Sequence, residues 1–280
     1  MHKTRLLQVI FIIVISQPLY SQINGFKKVK WERERIARGL IWKSTHFLLE
    51  DSLLQNINIL IVNLHWRKIS ILYNPKENIP TSRQASATKA KAAVNAGFFN
   101  VKDGGSATYL KTAGRIVDSD TAKKWLKNKN MTGSVHIDSK GNLSIANSMP
   151  NAFYDSHQEF PDVLVTGPLL LVNKKRTELP NTSLVTTKHP RTCAGVINKH
   201  KIVLVTLDGR TPEAQGMTLF KLTDLMISLG CTDAVNLDGG GSTTLWIKGK
   251  PFNGVVNMPC DNKKFDHEGE RAVSDIFIIK

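Results

Sequence analysis

The sequence predicts an α+β fold: a mixed, largely antiparallel sheet with a few packed helices in a single main domain. Short apolar runs rich in β-branched residues recur along the chain, and Gly, Asn or Pro turn signals separate them. The clearest helical spacing of apolar residues is Thr218–Leu229, which Gly230 ends. Frequent strands with few helices favour this class over a repeating βαβ array.

Residues 1–21 have the features of a cleavable signal peptide. Two basic residues precede the apolar run Leu6–Ile15, and the small residue Ser21 stands before the expected cleavage point. About ten apolar residues are too few to cross a bilayer core of about 30 Å. We therefore expect a secreted or periplasmic protein that begins near Gln22 and has no membrane span. The alternative is a buried N-terminal helix.

Residues 22–80 form an N-terminal segment that we expect to contribute strands packed on the main domain. Its first part, Trp31–His46, is charged and aromatic, which indicates an exposed lead-in. Alternating isoleucines in Ile57–Ile61, followed by Ile69–Tyr73, indicate a hairpin or paired strands.

Residues 81–280 form the predicted main domain. Pro80, followed by the Ala- and Lys-rich Thr81–Lys91, predicts a short helix. Pairs of strands are expected around Gly114, around Gly141 and around Lys199. Further strands are predicted at Val163–Thr166, Leu169–Val172, Ala234–Leu237, Thr243–Ile247 and Ala272–Ile279.

Composition and charge limit the classes of function. The chain has 280 residues and is 41% hydrophobic, which excludes disorder, collagen and coiled coil as descriptions of the whole chain. Its net charge is 38 − 23 = +15, so it attracts anions such as phosphates, nucleic acid, acidic glycans or a membrane surface. The basic residues are scattered, and the sequence has no zinc-finger spacing and no RNA-recognition aromatic motif. We therefore expect no nucleic-acid partner.

The three cysteines are an odd number for an exported chain. Cys193, Cys231 and Cys260 allow at most one disulfide, and the spacing does not choose the pair. Cys193 lies in an apolar run, which indicates a buried and unreactive thiol. The sequence leaves the oligomeric state open.

A glycine-rich loop is the sharpest local motif. Asp238 ends an apolar strand and is followed by Gly239, Gly240, Gly241 and Ser242. Glycines let backbone N–H groups approach a ligand closely, and successive N–H groups can hold a phosphate or another oxyanion. The loop therefore indicates an anion cradle with a carboxylate at its edge. The alternative is a tight turn capped by the aspartate.

A second polar group also ends a buried strand, at Asp208-Gly209-Arg210. Arginine binds phosphate or carboxylate through two parallel hydrogen bonds, so this group suits substrate recognition. Arg191 precedes another strand and is a further candidate phosphate ligand. The alternatives are an Asp-Gly turn with an exposed arginine and a solvated charge at a strand end.

The segment Asn95–Asn100 combines amides, a glycine and two aromatic rings. Asn95, Gly97, Phe98 and Phe99 are candidates for binding a sugar, whose hydroxyls accept hydrogen bonds and whose C–H face stacks on aromatic rings. The alternative is a pair of core phenylalanines beside a turn.

No metal or nucleophile motif stands out. The eight histidines show neither the HExxH motif nor another metal-ligand spacing, and there is no G-x-S-x-G motif. We therefore expect no catalytic metal and no cofactor. Asp208, Glu213 and Asp238 could still converge in space and bind a hard cation through oxygen.

The motifs resemble, in their order, those of the phosphodiester glycosidase family. The set comprises Asn95–Asn100, Thr166–Pro168, Arg191-Thr192, Asp208–Arg210, Gly216–Thr218 and Asn236–Ser242. The resemblance covers about residues 90 to 280 and implies a hydrolase that releases a sugar from a sugar-1-phosphodiester. N-acetylglucosamine is one candidate sugar.

The resemblance also implies roles for the candidate residues. Gly239–Ser242 would hold the phosphate together with Arg191 and Arg210, while Asp238 and Asp208 would act near the anomeric carbon. Which aspartate is the nucleophile and which is the base stays open. A competing hypothesis is a non-catalytic cell-envelope module that binds anionic glycan or exopolysaccharide. Such a module needs the arginines and the loop but neither carboxylate.

Overall fold

The computed structural model describes residues 26, 28–49, 53–75, 77–117 and 125–280. The predicted signal peptide lies outside these residues. Within them, four short helices accompany sheets whose named strands all pair antiparallel, which confirms the α+β class. No helix in the described ranges is long and apolar enough to cross a membrane.

The strands and helices follow one another closely along the chain. The strands are β1 (Glu32–Ala37), β2 (Leu40–Leu48), β3 (Leu54–Asn63), β4 (Ile69–Tyr73), β5 (Ile79–Pro80), β6 (Ala92–Asn95), β7 (Leu110–Thr112), β8 (Arg115–Ile116), β9 (Gly133–Ile137), β10 (Leu143–Asn147), β11 (Asp162–Thr166), β12 (Leu169–Val172), β13 (Lys175–Arg176), β14 (Arg191–Asn198), β15 (Lys201–Leu207), β16 (Asp233–Asn236), β17 (Leu245–Ile247), β18 (Ala272–Val273) and β19 (Asp275–Ile279). The helices are α1 (Thr81–Ser86), α2 (Asn151–Ser156), α3 (Ser183–Thr186) and α4 (Leu219–Ser228).

The strands form one large sheet and three smaller ones. The large sheet has the order β1-β2-β3-β15-β14-β16-β12-β13. A five-stranded sheet has the order β10-β9-β11-β7-β8, a four-stranded sheet has the order β17-β6-β19-β4, and β18 pairs with β5. The predicted strand pairs β7–β8, β9–β10 and β14–β15 are confirmed.

Two expectations for the N-terminal segment are wrong. Trp31–His46 is not a lead-in, because it contains β1 and most of β2, which pair with each other at the edge of the large sheet. Strands β3 and β4 do not pair with each other either: β3 lies between β2 and β15, and β4 pairs with β19. The segment between them crosses from one sheet to the other, held where Leu64 N–H donates to the His200 carbonyl and Lys68 N–H to the Lys280 carbonyl.

Apolar residues fill both sides of the large sheet. On one side, alternate residues such as Ile59, Val205 and Cys193 pack against Leu222 and Met226 of α4. Their sequence neighbours on these strands face the opposite way and pack against the five-stranded and four-stranded sheets in the largest core cluster. The period-2 pattern of the strands therefore positions the large sheet as the central layer.

The predicted helices form with different lengths. In α4 the Thr218 hydroxyl caps the N-terminus by accepting from Lys221 N–H at 3.3 Å, and Gly230, with φ of 80°, ends the segment as expected. Helix α1 ends at Ser86 and is shorter than the predicted Thr81–Lys91.

Antiparallel pairing brings several strand ends to one place. Arg191 at the start of β14 pairs with Leu207 at the end of β15, and Cys193 pairs with Asn236 at the end of β16. In the four-stranded sheet, Asn95 at the end of β6 pairs with Ile276. The segments that follow β6, β15 and β16 therefore lie close to the starts of β14 and β19.

Candidate active site

Asp208 lies directly after β15 and is 1% exposed. Its Oδ1 accepts from Asn257 Nδ2 at 2.7 Å, and its Oδ2 accepts from Asn56 Nδ2 at 2.7 Å and from Met258 N–H at 3.0 Å. Burial raises the pKa of Asp208 to about 6, while these hydrogen bonds and the nearby His46 lower it in part. Three hydrogen bonds therefore hold the carboxyl group in place, and its pKa lies well above that of an ordinary aspartate.

Asp238 follows β16 and is half-buried. Its Oδ1 accepts from Gly239 N–H at 2.9 Å, and its own N–H donates to the Ala96 carbonyl at 3.0 Å. Burial raises the pKa of Asp238 to about 7; the neighbouring Ser242 hydroxyl, the Gly239 N–H and the Arg271 charge lower it, and Asp275 raises it.

Asp275 is a third carboxyl at this place, and it was not predicted from the sequence. It is 1% exposed, and its Oδ1 accepts from Gly97 N–H at 2.5 Å while its Oδ2 accepts from Ser274 Oγ at 2.9 Å. Burial raises the pKa of Asp275 to about 6. A Cβ on Gly97 would lie 2.9 Å from Asp275 Oδ1, so only glycine fits this contact.

The glycines of the loop make room for two arginine side chains. A Cβ on Gly240 would lie 2.9 Å from Arg210 Nη2, and a Cβ on Gly241 would lie 2.6 Å from Arg271 Nη2. Gly240 also has a φ of 62°, a conformation that favours glycine. A Cβ on Gly239 would lie 2.6 Å from the Pro190 carbonyl oxygen, so close approach of backbone and side chains accounts for the three glycines.

Several N–H groups of the loop already donate within the protein. Gly239 N–H donates to Asp238 Oδ1, Gly240 N–H to the Pro190 carbonyl, and Ser242 N–H to the Gly239 carbonyl. Most N–H groups of the expected backbone cradle are thus already used within the protein. The positively charged groups at the loop are the side chains of Arg210 and Arg271.

Arg210 is the exposed cation of the site. Its φ is 69°, and its Nη2 lies 3.4 Å from His189 Nδ1. Among the described residues it has no carboxylate partner. Arg271, by contrast, is paired with Asp261 through Nε and Nη2. Arg210 is therefore an exposed guanidinium group beside the loop that no described carboxylate neutralises.

Arg191 lies near this site but does not point into it as a free cation. It is 1% exposed, and its guanidinium group donates to the carbonyls of Met217 at 2.8 Å, Leu184 at 2.8 Å and Thr187 at 2.7 Å. Burial lowers the pKa of Arg191 to about 10. These contacts give Arg191 a structural role, because they connect the start of β14 with the segment before it and with the segment that precedes α4.

The residues expected to bind a sugar are separated. Asn95 is 1% exposed and connects three segments: its Nδ2 donates to the Asp238 carbonyl, and its Oδ1 accepts from Thr192 Oγ1 and Thr244 N–H. Phe99 lies in a core cluster with Trp246. Phe98 is half-buried against a different aromatic cluster. Of the two rings, Phe98 has the larger part left to contact a ligand.

Asn257 connects the two predicted aspartate segments and was not expected from the sequence. Its Nδ2 donates both to Asp208 Oδ1 and to the Thr243 carbonyl, and its Oδ1 accepts from Leu245 N–H. It lies in an irregular segment, where no spacing signals a site. Asp275 offered one signal, a carboxylate inside an apolar strand run.

Three consecutive hydroxyls behind the loop lack regular hydrogen bonds. The side chains of Ser242, Thr243 and Thr244 are fully buried, and their oxygens have no hydrogen-bond partner of regular geometry in the described ranges. Buried hydroxyls without a hydrogen bond of regular geometry are uncommon, and they mark this loop as a polar region inside the protein.

The described residues contain no metal-binding cluster, and their cysteines are buried. Within the described segments, no three His, Cys, Asp or Glu side chains come together as a metal site needs. The three cysteines are free and buried, which confirms the expectation for Cys193, and burial raises the pKa of each thiol.

The phosphodiester glycosidase family model matches residues 88–280. The chain belongs to this family. The match begins just before β6 and includes every strand end that forms the site. The resemblance seen in the ordered motifs is therefore confirmed.

Two curated proteins match parts of the chain. The human N-acetylglucosamine-1-phosphodiester alpha-N-acetylglucosaminidase is 25% identical over 192 residues, which is 64% of this chain and 35% of the human protein. The SPbeta prophage-derived uncharacterized protein YomE of Bacillus subtilis is 37% identical over 82 residues, 27% of this chain and 13% of that protein. The matches thus span about a third or less of these relatives.

A solved structure has the same fold as this chain. The catalytic domain of zebrafish N-acetylglucosamine-1-phosphodiester alpha-N-acetylglucosaminidase superposes with a TM-score of 0.67 and 19% identity. The match covers 89% of this chain and 83% of the zebrafish chain, so it includes strands that precede residue 88.

Proposed function

We propose that this protein is an exported hydrolase that cleaves a sugar-1-phosphodiester and releases the sugar from the phosphate. One observation carries the proposal: an exposed arginine without a carboxylate partner among the described residues, Arg210, lies over Gly240 beside the Asp208 and Asp238 segments. An anion holder and two carboxyl groups are the parts that this reaction needs. Family membership supports the same chemistry.

Arg210 holds the phosphate in this proposal. It presents a fixed fork of donors that matches phosphate oxygens, and it neutralises the charge that grows as the phosphate leaves. Because a phosphodiester is already a good leaving group, a strong general acid is less necessary than in ordinary glycoside hydrolysis. Arg191, which is occupied by three carbonyls, belongs to the scaffold in this account.

Asp238 acts at the anomeric carbon, where its ionised form stabilises positive charge on the sugar. Its pKa of about 7 means that a large fraction is ionised at neutral pH. Asp208, with a pKa of about 6, is the second carboxylate of the site. Phe98, which is half-buried, remains a candidate for the sugar-binding wall.

An activity screen tests the proposed function. The purified protein is incubated with a panel of sugar-1-phosphodiesters, and pyrophosphate-linked sugars serve as controls. We expect release of the free sugar and of a phosphomonoester from the diesters only. Binding of anionic glycans without turnover of any diester would contradict the proposal and favour the non-catalytic cell-envelope module.

Export is proposed from the sequence of residues 1–21, which lie outside the described residues. The short apolar run between basic and small residues supports a cleavable signal. Mass spectrometry of protein recovered from the envelope or medium of its native host should find an N-terminus near Gln22. A mature protein that keeps Met1 would contradict export.

A further inference from the structure

A cleft lies mainly on the N-terminal strands β2 and β3, and Val256 and Met258 of the family-matched region complete its wall. Its volume is about 480 Å³. The side chains that shape it, named here the hairpin cleft, are Trp42, Ser44, His46, Asn56, Asn58 and Met258. All but Met258 precede residue 88, where the family match begins.

The strand register explains why a cleft forms here. On one face of β2 and β3, Leu40 and Leu60 enter the core, while the cross-strand pairs Ser44↔Asn58 and His46↔Asn56 continue the same face with polar side chains. A polar patch on a sheet face excludes apolar packing partners. The face is therefore core at one end and an open polar cleft at the other.

The indole of Trp42 is held in a fixed orientation at this cleft. Its Nε1 donates to Asn58 Oδ1 at 3.0 Å. The Lys250 Nζ lies 5.0 Å from the centre of the indole ring and pairs with Glu34, and Lys250 is not among the residues that line the cleft. An oriented aromatic ring with a polar neighbour suits the stacking of a sugar ring.

Asn58 supplies a hydrogen-bonding group next to that ring. The residue is 1% exposed, and its Oδ1 is occupied by Trp42. Its Nδ2 has no acceptor within the described ranges, although Asn58 lines the cleft. The Nδ2 atom is not among the buried unpaired atoms of the described residues, so an oxygen of a ligand in the cleft can accept from it.

The cleft is directly connected to the candidate carboxylate. Asn56 donates from Nδ2 to Asp208 Oδ2 at 2.7 Å, and its carbonyl accepts from Asp208 N–H at 3.0 Å. Met258, from the opposite wall, donates its N–H to the same Oδ2 at 3.0 Å. A ligand in the hairpin cleft thus contacts residues that touch Asp208.

The charges of the cleft favour a neutral ligand. One cation, Lys30, and one anion, Glu32, line it, and the remaining polar groups are amides, hydroxyls and the His46 ring. A second phosphate would need several uncompensated cations. A neutral, polyhydroxylated ring matches the indole face, the free amide donor and the volume.

We propose that the hairpin cleft is a sugar-binding subsite, in which Trp42 stacks on a second hexose ring of the substrate and Asn58 donates to one of its oxygens. The inference rests on the proposed function, because it places this ring on the far side of the phosphate from the sugar that is released. It assigns substrate specificity to strands that precede the family-matched region.

Two readouts test the subsite, one of them independent of turnover. Saturation-transfer NMR with methyl hexosides measures binding of the ring alone. Steady-state kinetics compare a sugar-1-phosphate methyl ester with the diester of the same sugar-1-phosphate to a hexose. The variants are Trp42→Ala, Trp42→Phe and Ser44→Phe, which fills the cleft. The control is Trp66→Ala, since Trp66 is 50% exposed and follows β3 at the end away from Asp208.

We expect Trp42→Ala and Ser44→Phe to abolish saturation transfer and to lower kcat/KM for the hexose diester by about tenfold, the effect of losing one aromatic stacking contact. The methyl ester should be hydrolysed at an unchanged rate, and Trp42→Phe should be intermediate. The Trp66→Ala control should match the wild type in both readouts.

Equal losses on both diesters, or no loss on either, would overturn the subsite. If the wild type hydrolyses neither diester, the proposed function fails, and NMR alone decides the subsite. In that case transfer that disappears in folded Trp42→Ala or Ser44→Phe supports a sugar site, and transfer that persists in both overturns it.

Discussion

Asn95 donates its Nδ2 hydrogen to the carbonyl oxygen of Asp238 at 2.6 Å, across 143 residues of sequence. The same amide accepts from Thr192 Oγ1 at 2.7 Å and from Thr244 N–H at 3.1 Å. One buried side chain therefore holds the end of β6, the start of β14 and both ends of the glycine loop in register. The position of the candidate carboxylate depends on it.

Asn95→Ala should lower the free energy of unfolding by about 1–3 kcal/mol, because three buried polar groups lose their partner. Activity should fall together with stability. Urea denaturation measures the first and steady-state kinetics the second. The control is Asn198→Ala at the exposed end of β14. Equal unfolding free energies for the two variants would contradict a special role for Asn95.

The pH dependence of kcat/KM should follow the ionisation of Asp238, with activity rising through about pH 7. Asp275 raises the pKa of Asp238 and Arg271 lowers it. Asp275→Asn should therefore move the acidic limb of the profile to lower pH, and Arg271→Gln should move it to higher pH. Asp233→Asn, at the other end of β16, is the control. Shifts in the same direction, or none, would contradict the assignment.

Arg210→Lys should raise KM by about tenfold with a smaller change in kcat, because lysine keeps the charge but loses the two parallel hydrogen bonds to phosphate. Arg115→Lys, on an exposed hairpin, controls for the substitution itself. Steady-state kinetics on one diester measure KM and kcat for both variants and the wild type. A normal KM for a folded Arg210→Lys enzyme would remove Arg210 from the phosphate site.

Arg191→Lys provides the contrast within the same region. The planar guanidinium group of arginine reaches three separate carbonyls, and the single ammonium group of lysine cannot. Buried acceptors therefore lose their partners in this variant. We expect a loss of about 1–3 kcal/mol in unfolding free energy and an unchanged KM. A raised KM with normal stability would instead return Arg191 to the phosphate site.

The candidate carboxylates were predicted from the sequence because their signals are local. Asp208 and Asp238 each follow a buried strand and precede glycine, so the strand fixes their position. Arg191 and Arg210 look alike in sequence, yet one is buried and the other exposed. The difference depends on Met217, whose carbonyl meets Arg191 only in the folded chain.

The missed residues lack a local pattern. Asn257 and Arg271 lie in an irregular segment, and Asp275 is one carboxylate in an apolar strand. Strands β1 and β2 were missed for a related reason: β1 is mostly charged and exposed, so its apolar pattern is weak. The pairing of β3 and β4 was wrong because partners in a sheet are chosen by contacts with β15 and β19, far along the chain.

Asp238 also links stability to pH. Its pKa is about 7 in the fold and 3.8 as an ordinary aspartate, so between these values the folded state holds a proton that the unfolded state has released. The free energy of unfolding therefore falls as pH rises through this window. Asp238→Asn lacks this proton, so its stability relative to wild type should increase from about pH 4 to about pH 7. Denaturation curves at both pH values measure this, and a constant difference would contradict the raised pKa.

The most direct test of the account is the turnover of Asp238→Asn on a sugar-1-phosphodiester that the wild type hydrolyses. Asparagine keeps the shape and the hydrogen bond from Gly239 but removes the charge. Loss of such an electrostatic partner lowers kcat by about 10²–10³. We predict a loss of this size in a variant whose thermal melt shows a folded protein. A folded Asp238→Asn enzyme with near-normal kcat would contradict the catalytic role of Asp238 and leave the glycine loop as a binding feature.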